Sequence, residues 1–200
     1  MENSLLLLWL AAFPLMGSPG PATISLAGIG TAFGVRRGLP YLGGIILGTF
    51  GVLLMIASGV TALILAEPAL VTMLTAVAAI YILYLAWKIA SAPVGVNTNG
   101  AEKTPAFSSG LLLALANPKA FAAIGAVYAG HTLLTDKLVM DGLAKISALT
   151  LVIVTVNSAW LFFGSSFSLL LSNPRSGRFA NVIFALMLIL SVAIAVFPIE

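Results

Sequence analysis

From Leu39 to Ala66 the chain runs without one charged side chain. That run exceeds the roughly 20 apolar residues that carry an α-helix through the hydrocarbon core of a bilayer. Five further apolar stretches accompany it: about Leu5 to Val35, about Ala69 to Ala90, Phe107 to Gly130, about Ile146 to Leu171, and Phe179 to Phe197. They are too long for barrel strands and lack strict alternation. Composition points the same way, because only 8% of the 200 residues are charged and 60% are hydrophobic. A soluble domain carries roughly a quarter charged residues, so lipid is the expected solvent. The expected architecture is an all-α membrane protein with six transmembrane helices in a single domain, 1–200, leaving no room for a separate soluble domain. The opening Met1-Glu2-Asn3-Ser4 lacks the positive n-region of a signal peptide, so the first stretch reads as a mature span.

Several function classes recede at once. There is no Cys, which removes disulfides, thiolate metal sites and thiol redox chemistry. One His and no Asp or Glu within a span supply no cluster for metal or acid–base catalysis. No catalytic residue, metal or cofactor is expected, and the net charge of +3 carries no nucleic-acid footprint.

Orientation follows from Lys and Arg near the span ends. Arg36, Arg37, Lys88, Lys103, Arg175 and Arg178 fall on one side. Lys137 and Lys145 fall on the other, beside Asp136 and Asp141. The first side is expected to be cytoplasmic, with both termini outside.

Two spans carry what a plain anchor helix avoids. Span one holds Ser18-Pro19-Gly20-Pro21-Ala22-Thr23, and proline inside a helix removes a hydrogen bond and clashes with the preceding turn. A break there leaves Pro21 in the first turn of a second half-helix, where its missing N–H does no harm. Span four holds Asn117-Pro118-Lys119-Ala120, in which Asn is a strong N-cap and Pro suits the first helical position. The six spans thus read as two inverted three-helix repeats, about 1–92 and 105–200, joined by a polar linker at about 93–104. Spans one and four are each broken near the midplane. Interrupted spans at matching places in inverted halves point to a carrier's binding site. Half-helix N-termini offer free N–H groups and positive dipole to a carboxylate.

Lys119 is the one charged side chain deep inside a span, and an intramembrane ionisable group is a functional candidate by default. A cation at a helix N-terminus faces a like-signed dipole, so it needs a negative partner. That partner is either a substrate carboxylate or the carbonyls freed by the break in span one. Thr23, Ser25, Thr49, Asn157 and Ser158 are smaller polar candidates, with Asn157 able to bond substrate or a neighbouring helix. His131 reads as an interfacial residue at the end of span four. Tyr81, Tyr84, Trp87 and Lys88 read as an interfacial belt. Gly30 and Gly34, with Gly44 and Gly48, are spaced for close helix approach, within the chain or in a homodimer.

The chain resembles the LysE/RhtB group of amino-acid exporters. The matching stretches are Ser18-Pro19-Gly20-Pro21 with Arg37-Gly38, then Ala78 to Lys88 closing span three, then Phe107, Gly110, Leu111 and Asn117-Pro118-Lys119-Ala120. The resemblance covers nearly the whole chain in order. It implies export of amino acids or close derivatives across a bacterial-type inner membrane, coupled to the proton motive force. It further implies that Pro19, Gly20, Pro21, Asn117, Pro118 and Lys119 mark the translocation site. Members often carry an acid in span two and another in span five, where this chain has Thr49 and Asn157. Those departures favour a neutral zwitterion over a cationic substrate and leave the proton carrier unassigned. A carrier or channel for another small organic anion, an intramembrane enzyme and a non-transporting membrane subunit are the alternative readings.

Overall fold

The computed structural model describes residues 2–59, 67–91, 105–170 and 174–196. Among these residues the protein is entirely helical: α1 (Glu2–Gly17), α2 (Pro21–Ala57), α3 (Pro68–Ser91), α4 (Phe107–Leu115), α5 (Pro118–Gly130), α6 (Leu138–Leu170) and α7 (Pro174–Val196). Four of them, α2, α3, α5 and α7, open on proline. Its fixed φ and missing N–H suit the first helical turn. Two helices, Pro21–Ala57 and Leu138–Ser166, are long and apolar enough to cross a membrane, and the bent pair α4–α5 makes a third. The outer faces are strongly apolar: Ile80 is 69% and Trp87 67% exposed. Surfaces of that kind mark membrane or partner contact in a folded chain.

Helix α2 contains a reversal. Gly34 has φ 75° and ψ 171°, a conformation essentially closed to residues with a Cβ. The two arms fold back on each other around it. Tyr41 Oη donates to Ser25 Oγ at 3.0 Å, and a Cβ on Gly38 would come within 3.2 Å of Ile29 Cγ2. Pairing 25 with 41 and 29 with 38 describes an antiparallel hairpin. This corrects the sequence reading of Gly34, which is the corner between the first two apolar stretches and not a packing residue. Nothing lies within 4 Å of where its Cβ would be.

Gly30, Gly44 and Gly48 do lie in close approaches, all within the chain. A Cβ on Gly30 would strike the Leu161 carbonyl, and one on Gly164 would strike that of Ala27, so the first arm of α2 lies backbone to backbone on α6. Thr31 Oγ1 donates to the Gly164 carbonyl at 2.8 Å across this seam. Similarly, a Cβ on Gly44 would strike Phe107 O and one on Gly110 would strike Tyr41 O, which seats α4 on the second arm. A Cβ on Gly48 would lie 2.6 Å from Ala114 Cβ. With little hydrophobic drive between helices in lipid, such close packing is a main source of association.

Helices α1 and α5 pack on α6 and on the far end of α2, around Leu8, Ala12, Val52, Leu53, Ile124, Val127, Leu149 and Ile153. Helix α3 packs on α7 through Ile82, Leu85, Ala86 and Ile89 against Phe184, Ala185 and Leu188.

The apolar runs and the helices differ in three places. Helix α6 begins at Leu138, ahead of the apolar run at Ile146. Its early charges are Asp141 and Lys145, one turn apart, with Nζ 2.9 Å from Oδ2. Asp141 Oδ1 also accepts from the N–H groups of Leu133 and Leu134 at 2.6 and 2.9 Å. Lys145 donates to the carbonyls of Tyr128 and His131, both at 3.2 Å. Mutual pairing lets the helix continue through two buried charges. Helix α7 likewise begins at Pro174, ahead of Phe179. The helical part of the second apolar stretch is described to Ala57, where Ser58 caps it, and its end at 60–66 lies outside the described residues. The linker at about 93–104 lies outside them as well.

The aromatic belt is partly inward. Tyr84 and Trp87 are exposed, but the Tyr81 hydroxyl is buried and its ring packs on the core. His131 caps α5, its Nδ1 2.9 Å from Val127 O.

Candidate functional site

Both expected breaks are present. Helix α1 ends at Gly17 and α2 starts at Pro21; α4 ends at Leu115 and α5 starts at Pro118, with a bend of 59° between them. Asn117 caps α5, its Oδ1 accepting from Lys119 N at 3.2 Å. Gly20 has no side chain to cap α2, so the cap works in reverse: its extended backbone N–H donates to Thr23 Oγ1 at 2.9 Å.

A broken helix in lipid must find donors for its freed carbonyls. Here the four successive carbonyls of residues 17–20 all have donors. Gly17 O accepts from Trp160 Nε1 at 3.0 Å. Ser18 O accepts from Lys119 Nζ and, at 3.3 Å, from Thr23 Oγ1. Pro19 O accepts from Lys119 Nζ at 3.3 Å. Gly20 O accepts the first bond of α2, from Ile24 N at 2.8 Å. Lys119 thus reaches from one helix break to the other, across a hundred residues of sequence. Its negative partner in this structure is the C-terminal end of α1, whose dipole and open carbonyls favour a cation. The freed carbonyls expected as one partner of Lys119 are in place.

Gly20 makes the reach possible. A Cβ there would lie 2.5 Å from Lys119 Cδ and 3.0 Å from Nζ, so the lysine stem lies in the space a side chain would fill.

Between the breaks is a cavity of about 40 Å³. Its polar lining comes from Gly20, Thr23, Thr49, Asn117, Lys119 and Asn157. Apolar residues complete it, among them Met16, Ala123, Ile124 and Val156. It lies where the two apolar cores meet, since Ala22 belongs to one and Ile124, Ile153 and Val156 to the other. Room for roughly three waters fits this volume. No carboxylate is among the lining residues that the structure describes.

The sequence candidates divide as follows. Gly20, Thr23, Thr49, Asn117, Lys119 and Asn157 come together at the cavity, from the two breaks, the second arm of α2 and α6. Pro19, Pro21 and Pro118 flank it in the chain and shape the breaks. Asn157 is buried and spends its Nδ2 on Ile153 O of its own helix at 2.8 Å, leaving its carbonyl oxygen for other donors. Ser25 is not at the cavity; it bonds Ala22 O at 2.8 Å and Tyr41. Trp160 was missed by sequence reasoning. One signal was available: it follows Asn157 by three residues, and so shares a helix face with a polar side chain that must point inward.

The arrangement offers opposite electrostatics within one small space. The N-termini of α2 and α5 present N–H groups and positive dipole; the end of α1 presents carbonyls. A molecule carrying both a carboxylate and an ammonium matches both.

The family described as LysE type translocator matches residues 14–197. The chain is similar to the "Cysteine/O-acetylserine efflux protein" of Salmonella typhimurium, at 31% identity over 173 residues, 86% of this chain and 87% of the relative. It is similar to the protein of the same name from Escherichia coli K12, at 30% identity over 174 residues, again 86% and 87% of the two chains. The Salmonella paratyphi A protein of that name is 41% identical over 76 residues, 38% of this chain and 39% of the relative. No solved structure matches significantly.

Proposed function

The chain belongs to the LysE-type translocator family, and on that premise we propose that it is a secondary transporter exporting small zwitterionic amino acids or close derivatives from the cytoplasm. The observation that carries this reading is the shared cavity: two helix breaks, Thr23, Thr49, Asn117, Lys119 and Asn157, with no acid among the lining residues. Catalysis needs reactive groups poised on a substrate; this lining offers instead places to hold one. The relatives' names put cysteine and O-acetylserine, both small and neutral overall, in the same substrate range.

In this reading the substrate carboxylate lies against the N-termini of α2 and α5 and the Lys119 ammonium. The substrate ammonium faces carbonyls at the end of α1 and the oxygens of Thr23, Thr49 and Asn157. A cationic side chain would enter without a carboxylate to meet it, and burying an unpaired charge is costly. The chain forms six spans, as two inverted repeats about the cavity, in a bacterial-type inner membrane with both termini outside. Support comes from the matching breaks, from proline opening α3 and α7 at corresponding places, and from the crossed packing of α1 on α6 and α4 on α2. Rocking of the two repeats would expose the cavity alternately, driven by the proton motive force.

The test is efflux from cells loaded with amino acids by dipeptide feeding, with and without this protein. Faster exit of small neutral amino acids is expected, with Lys119→Ala lowering the rate at least about tenfold, the scale of one lost charged contact. Export of organic acids lacking an ammonium, with no amino acid exported, would favour the organic-anion carrier instead.

A further inference from the structure

We propose that Lys119 is a latch opened by the substrate: its ammonium holds the end of α1 and transfers to the substrate carboxylate when one enters the cavity. The proposal rests on the exporter reading of the cavity.

Three observations meet here. First, Lys119 Nζ is bonded to two carbonyls of the other broken span, Ser18 O and Pro19 O, while its side chain also lines the cavity. The same group therefore faces both partners. Second, the carbonyls on either side are held by other donors: Gly17 O by Trp160 and Gly20 O by the first turn of α2. Lys119 is the one charged donor at the break, and Pro19 O has no other donor among the described residues. Third, the lysine stem lies in the space a Cβ on Gly20 would fill, so no side chain from that residue stands between it and the break.

The chemistry sets the direction. An ammonium bonds a carboxylate more strongly than a neutral carbonyl, because both partners are ionised. Lysine is a compact charge on a flexible stem with rotatable donors, suited to exchanging partners. A carboxylate drawn to the N-termini of α2 and α5 also sets its negative oxygens beside the Ser18 and Pro19 carbonyls, which repel them. Moving the ammonium onto the substrate satisfies the carboxylate and frees α1 to shift. The substrate ammonium then faces the carbonyls that Lys119 leaves. Differential binding of this kind is what lets a ligand bias a conformational equilibrium. It makes an occupied transporter mechanically different from an empty one.

Hydrogen exchange on the full chain in lipid nanodiscs tests this, with radiolabelled O-acetyl-L-serine binding measured in parallel by equilibrium dialysis. O-Acetylethanolamine, which lacks the carboxylate, serves as the matched probe. Saturating O-acetyl-L-serine is expected to raise exchange at residues 15–20 at least about threefold, as a locally opened segment would, and O-acetylethanolamine to leave it unchanged. Lys119→Met is expected to show the raised exchange without ligand; should that variant not fold, the wild-type measurement decides alone. O-Acetyl-L-serine that binds while exchange at 15–20 stays level or falls would overturn the latch and leave the binding site standing. An equal rise with O-acetylethanolamine would overturn it too. Failure of O-acetyl-L-serine, L-cysteine, L-serine and L-alanine alike to bind would instead overturn the exporter reading, and the latch with it.

Discussion

Lys119 shows how far a residue can be read before its neighbours are known. Its depth in a span and its place at a helix N-terminus already demand a negative partner. What sequence does not reveal is that the partner is a helix end, because carbonyl dipoles carry no letter of their own. Trp160 escapes for a related reason. Hydropathy cannot tell an inward indole from an exposed one such as Trp87; the partial burial of Trp160 and its contact with Gly17 O separate them. The contact makes a prediction. Trp160→Phe leaves a carbonyl without its donor, and thermal unfolding in detergent should show a loss of about 1–3 kcal/mol. Trp87→Phe should change stability far less. Gly20→Ala is the complementary case. Its Cβ would collide with the lysine stem, so efflux should fall although no charge is removed.

At the scale of elements, the breaks and most helix starts were legible, because proline and asparagine act locally. Pro21 and Pro118 open α2 and α5 as expected. The reversal at Gly34 was not, since a glycine spaced four residues from Gly30 reads equally well as packing or as a corner. Its backbone decides between them. Gly34→Ala should cost about 1–3 kcal/mol for placing a Cβ in a region essentially reserved for glycine. Gly43→Ala, with neighbours at an ordinary 3.6 Å, is the control expected to be tolerated. The early start of α6 was hidden too. Asp141 and Lys145 look like loop charges until their pairing and their bonds to the 128–134 segment are seen. Breaking a buried pair from one side leaves the other charge uncompensated, typically at 3–5 kcal/mol. Asp141→Asn should therefore lower the unfolding temperature clearly, and more than Asp136→Asn, which lacks such partners in this segment's network.

Across the whole molecule, the breaks converge although they lie far apart in sequence. Helix α1 packs on α6 while α4 packs on α2, so each break is supported by helices from the other half. That crossed support brings Thr49 and Asn157 to the same cavity as Thr23 and Asn117. Spacing alone could suggest the inverted halves but not this exchange of partners, which depends on the glycine seams. The orientation proposed from Lys and Arg is open to a direct check: reporters fused in the 95–100 stretch should read cytoplasmic, and one at the C-terminus should read outside. The cavity between the breaks is the seat proposed for the substrate. The chain lacks cysteine, so Thr49→Cys places one thiol in the cavity and Ser147→Cys places one on the exposed face of α6. Labelling by N-ethylmaleimide in membranes, with and without O-acetyl-L-serine, tests this placement. O-Acetyl-L-serine is expected to slow labelling at position 49 severalfold and to leave position 147 unchanged. Equal labelling of Thr49→Cys with and without O-acetyl-L-serine, in a variant that still exports it, would place the substrate elsewhere.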